Sequence, residues 1–123
     1  VSRDWRLFLD DVIERAEKIG RLVKSHTFES FCADESDFDA VLMNLLVIGE
    51  ATKTLPAEIR EATPEVNWAG AFGLRDIIVH HYFGLDSEII WDIATVHVPQ
   101  LLEAAQYFIA QGIGEEANGR GIP

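Results

Sequence analysis

The sequence predicts an all-α fold: an antiparallel four-helix bundle with short extra helical turns. Apolar residues recur at three- and four-residue steps through most of the chain, capping residues and Pro or Gly bound those stretches, and no run alternates as a half-buried strand would. The first stretch places Trp5, Phe8, Leu9, Val12, Ala16, Ile19 and Val23 on one side and Asp10, Asp11, Glu14, Glu17, Lys18 and Arg21 on the other, with Ser2 as cap. Thr27 to Cys32 reads as one short turn. Asp34 and Ser36 offer caps for a second long helix carrying Phe38, Val41, Leu42, Leu45, Ile48 and Gly49, which ends before Pro56. A short turn within residues 57–66 precedes a third helix, capped by Asn67 and running to about Phe83, where Gly84 stops it. Asp86 and Ser87 start the fourth, which runs from Ile90 to Ile109 and carries Pro99 inside it; the proline removes the hydrogen bond to the Thr95 carbonyl and predicts a kink. Residues 1–111 form one helical domain in this reading, and the Gly- and Glu-rich residues 112–123 a frayed tail.

Composition narrows the function classes. Of 123 residues 48% are hydrophobic, enough for one modest core, and 21 acidic against 10 basic side chains leave a formal charge of -11. Such a surface repels a long polyanion, so any anion site has to rely on a local field. The longest apolar run, Val41 to Ala51, is broken by Asn44, Gly49 and Glu50, so no membrane span is expected; the amino terminus reads as neither signal nor transit peptide, and the cytoplasm is the expected location. One cysteine, Cys32, and four scattered histidines make neither a disulfide framework nor a zinc pattern. Phe72, Ile77, Ile78, Val79, Tyr82 and Phe83 cover nearly every side of the third helix, which predicts burial against a second copy.

The chemistry concentrates in Arg75-Asp76-Ile77-Ile78-Val79-His80-His81-Tyr82-Phe83-Gly84. Asp76 and His80 are one turn apart, so the carboxylate is placed to hold the imidazole, and Arg75 and Tyr82, seven apart, share a neighbouring face. Arg75 suits a phosphate and the charge that grows on it in a transition state; His80 suits removal of a proton from a ribose 2′-hydroxyl, a route that needs no metal. Taken by spacing alone, Arg75 with Asp76 or Glu50 is more often a structural ion pair, and a helical histidine beside aromatics is more often a hydrogen-bonded core residue.

The pattern Arg75, His80 and Tyr82, spaced Arg-x-x-x-x-His-x-Tyr, resembles the signature of the HepT-type toxins, a branch of the HEPN superfamily of helical ribonucleases. The resemblance extends in order through Asn44 to Ala51, Leu55-Pro56, Pro64, Asn67-Trp68, Gly73-Leu74-Arg75, His81 to Gly84, Trp91 and Val98-Pro99, essentially residues 3–110. It implies a HEPN-like homodimer whose two Arg and His motifs meet in a cleft and cleave RNA, with tRNA one candidate substrate, without cofactor or metal. It also implies a partner, a nucleotidyltransferase antitoxin of the MntA type that silences the toxin by transferring AMP to Tyr82. Carried over residue by residue, Arg75 and His80 are catalytic, Asp76 supports them where the family often has Asn, and Tyr82 is the modification site. The competing class is a non-catalytic nucleotide-binding or scaffolding subunit of a nucleotidyltransferase complex, a reading the acidic surface favours.

The remaining candidates carry blander expectations. His81 and Glu50 read as packing or junction residues, and His26 and His97 as surface or satisfied interior groups. Trp5, Trp68 and Trp91 read as core or interface anchors before base-stacking platforms, and Cys32 as no nucleophile.

Overall fold

A computed structural model describes residues 5–62, 64, 66 and 68–111. The expected caps Ser2 and Asn67 and the expected tail 112–123 lie outside them. The elements are α1 (Trp5–Lys24), α2 (Phe28–Ala33), α3 (Glu35–Lys53), α4 (Ala57–Ala62), α5 (Trp68–His81), a 3₁₀ turn (Tyr82–Gly84), α6 (Ser87–Asp92), a π-helical turn (Ile93–His97) and α7 (Val98–Ala110). Among the described residues there is no strand. The four long helices are α1, α3, α5 and the compound α6–π–α7.

The apolar stripe of α1 becomes the centre of the bundle. Leu9, Val12, Ala16, Ile19 and Val23 are buried between α3, which contributes Val41, Leu42, Leu45 and Ile48, and α7, which contributes Leu101, Ala105 and Phe108. Each large side chain removed from water in this way contributes about 1.5–3 kcal/mol. Asn44 is a buried polar residue of this seam. Its amide donates to the Ala40 carbonyl at 2.7 Å and its oxygen accepts from Arg15 Nη1 at 3.2 Å, so its burial leaves neither end unsatisfied.

The joins follow local chemistry. Thr27 caps α2 through a reciprocal pair with Ser30, Asp34 caps α3 by accepting from the Asp37 amide at 2.9 Å, and Asp86 caps α6 through the Glu88 amide at 2.9 Å. His26 fastens the first corner, with Nε2 2.7 Å from Asp37 and Nδ1 2.8 Å from Ser30 Oγ. Phe31 stacks on Phe38 and Trp91 at centroid distances of 5.3 and 5.1 Å, pinning α2 to α3 and α6.

The third and fourth helices each depart from the sequence expectation in one detail. Backbone at His81 leaves the helical region (φ -129°, ψ 24°), so α5 ends there and Tyr82 to Gly84 tighten into the 3₁₀ turn. Pro99 sits in the first turn of α7, and an irregularity appears just upstream: the Val98 amide reaches back to Ile93, widening one turn to π geometry.

Candidate active site

The site begins with a close helix crossing. At Gly49 of α3 a Cβ would lie 3.1 Å from the Ala71 carbonyl oxygen and 3.1 Å from Arg75 Cβ, so glycine lets α5 approach the α3 backbone closely. The next residue, Glu50, then stands beside Arg75. Its carboxylate accepts from Arg75 Nε at 2.9 Å, and Asp76 accepts from Nη1 at 3.0 Å. Lys53 approaches Glu50 at 3.8 Å. The guanidinium is thus steadied on two sides, while Nη2 has no partner among the described residues, and the side chain remains 39% exposed. The Arg75 hydrogen bond holds the Asp76 carboxyl below the ordinary carboxylate range, with smaller pulls from the charges of Lys53 and His80.

His80, in the last turn of α5, is exposed and makes no hydrogen bond among the described residues. The bond expected from Asp76 to His80 is not formed; Asp76 turns to Arg75, the adjacent strong cation, and supports the phosphate-binding candidate rather than the histidine. His80 instead lines an open cavity of about 590 Å³ with His81, Tyr82, Phe83, Asp86 and the apolar side chains of Ile77, Ile89 and Ile93. Arg75 does not line it. Five positions of helix separate Arg75 and His80 by about 140° of rotation, so the two groups leave α5 on different sides.

Tyr82 lies beyond the α-helix, and the 3₁₀ turn sends its ring toward α3. The phenol donates to Asp39 Oδ1 at 2.9 Å, across 43 residues of sequence, while the residue stays 44% exposed. The hydrogen bond to the anionic Asp39, the charge of Asp39 itself and that of Glu35 push the phenol above its ordinary value. Asp39 was not apparent from the sequence. It is one of several acids in the first half of α3, and neither spacing nor motif ties it to a tyrosine two helices later.

The exposed side chains Ile77, Val79, Phe83 and Ile89 make an apolar surface around this region. Trp68 is buried and Trp91 packs on Phe31 and Phe28, as core anchors do; His97 pairs with Asp92 at 3.3 Å, and Cys32 is exposed.

The family model for HepT-like ribonucleases matches residues 12–108, from within α1 into the last turn of α7 and across Arg75, His80 and Tyr82. The chain is 40% identical over 117 residues to "Putative RNase MJ0127" of Methanocaldococcus jannaschii, an alignment covering 95% of this chain and 97% of that one. It is 32% identical over 101 residues to "Probable ribonuclease HepT" of Thermococcus cleftensis, covering 82% and 92% of the two chains. No solved structure gives a significant match. With most of its bundle, its crossing at Gly49 and its motif helix inside the matched span, the chain belongs to the HepT-like ribonuclease family.

Proposed function

We propose that this chain is a metal-independent endoribonuclease toxin that acts as a homodimer and is silenced by AMP transfer to Tyr82 from a cognate MntA-like nucleotidyltransferase. The observation that carries the catalytic half is the state of the two motif groups: Arg75 is braced by Glu50 and Asp76 with Nη2 open, and His80 is exposed and unengaged. Arg75 binds the scissile phosphate and stabilises the charge that grows on its oxygens. His80 accepts the 2′-hydroxyl proton as O2′ attacks phosphorus; the P–O5′ bond breaks, and a proton passes to the leaving O5′. The products are a 2′,3′-cyclic phosphate and a 5′-hydroxyl.

The split motif supports the dimeric reading. Arg75 and His80 leave α5 on different sides, and the apolar side chains beside them, Phe83 above all, are uncovered. A second copy seated on Ile77, Phe83 and Ile89 would cover that surface, and the two motifs would then share one cleft.

Purified AMP-free protein, incubated with cellular RNA in excess chelator, tests the reading. Cleavage by the wild type, lost in Arg75→Ala and His80→Ala, is the expected result; intact RNA in all three samples refutes it. Engagement of Arg75 by two carboxylates favours one alternative, a non-catalytic scaffolding subunit for the nucleotidyltransferase. Growth arrest on expression of this chain alone, abolished by His80→Ala, separates the two.

A further inference from the structure

The hydrogen bond between Tyr82 and Asp39 assigns a role to a residue outside the motif. Tyr82 Oη is the atom that attacks phosphorus if AMP is transferred to this tyrosine, and its proton already points at Asp39 Oδ1, 2.9 Å away. The residue is 44% exposed, so a nucleotide can approach the oxygen from the solvent side while the carboxylate sits behind it on α3. We propose that Asp39 is the general base for AMP transfer to Tyr82. The inference rests on the modification reading above and deepens it.

The step balances without any further reactant. Tyr82 Oη forms a bond to the α-phosphorus of ATP, the bond from that phosphorus to the oxygen bridging to the β-phosphorus breaks, pyrophosphate leaves, and the phenol proton passes to Asp39. A phenol is a weak nucleophile while its proton is attached. As the new P–O bond forms, that proton becomes strongly acidic, and a carboxylate already within hydrogen-bond distance takes it without rearrangement.

The competing use of this contact is a latch that pins the end of α5 to α3. Asparagine separates the two, because its amide oxygen still accepts from the phenol but is a negligible base. The test uses the full chain, a nucleotidyltransferase of the MntA type, and ATP labelled at the α-phosphate. Wild type takes up label and Tyr82→Phe does not. Asp39→Asn is expected to slow labelling at saturating ATP on the order of 100-fold, with the half-saturating ATP concentration unchanged, and Asp39→Glu to restore part of the rate. Labelling of Asp39→Asn at the wild-type rate overturns the role of Asp39 and leaves the modification of Tyr82 standing. An unlabelled wild type, with the transferase active on another acceptor, overturns both.

Discussion

Gly49→Ala probes how the α3–α5 crossing holds Arg75. In an ordinary helix interior the change stabilises by about 0.5–1 kcal/mol, because alanine loses less backbone freedom on folding. Here the added methyl meets the Ala71 carbonyl oxygen and Arg75 Cβ, each at 3.1 Å. Neither is the far end of a flexible side chain, so α5 as a whole has to retreat by a few tenths of an ångström. Overpacking of this kind costs about 1–3 kcal/mol, leaving a net loss of about 1 kcal/mol, or about 4 °C in Tm for a domain of this size. The retreat also draws Arg75 from Glu50, now at 2.9 Å, so RNA cleavage is expected to fall further than stability does. Urea unfolding at a fixed protein concentration measures the first effect, and initial cleavage rates on one labelled RNA measure the second. A Gly49→Ala protein stabilised by the full helix-propensity gain, with unchanged cleavage, refutes the close-approach argument.

Three further outcomes are expected. Arg75→Lys should lower RNA cleavage on the order of 100-fold in single-turnover assays, because an ammonium cannot keep Glu50 and Asp76 while presenting a planar pair of donors to phosphate. His80→Ala should abolish cleavage with unfolding free energy within about 0.5 kcal/mol of wild type in urea titrations, since the imidazole is exposed and has no hydrogen-bond partner among the described residues. In a Tyr107→Phe background, ultraviolet titration should place the Tyr82 phenol above its ordinary value, and Asp39→Asn should bring it down. The fold favours the neutral phenol, so its stabilisation is fully present below the ordinary phenol value and lost as pH rises through the raised one.

Periodicity made most of the bundle legible in advance. The stripe Leu9, Val12, Ala16, Ile19 and Val23 is buried as read, because an amphipathic helix has one way to hide such a face. Capping was legible at Asp34 and Asp86, where side-chain acceptors reach amides two or three residues on. Pro99 announced an irregularity but not its form, since a missing amide can be absorbed by a bend or by one widened turn. At the site, Arg75 was correctly linked to Glu50 and Asp76 as possible partners, and both contacts form. The partners of Asp76 and Tyr82 were less legible. Helical spacing offered Asp76 to His80, but the neighbouring guanidinium is the stronger donor. The Tyr82 contact depends on the chain leaving α-helical geometry at His81 and on the α3–α5 packing, and a single sequence displays neither directly.

The bracing of Arg75 also changes what it means for this site to bind. Under the proposed function, a phosphodiester reaching the guanidinium at Nη2 does not meet a bare cation; it shares the charge with the carboxylates already on Nε and Nη1. The site would then resemble an ion exchanger loaded with its own counter-ions, from which free phosphate and other small anions gain little. An RNA strand, whose ribose and bases add contacts beyond the phosphate, would gain more, so the bracing would select for the polymer over the free anion.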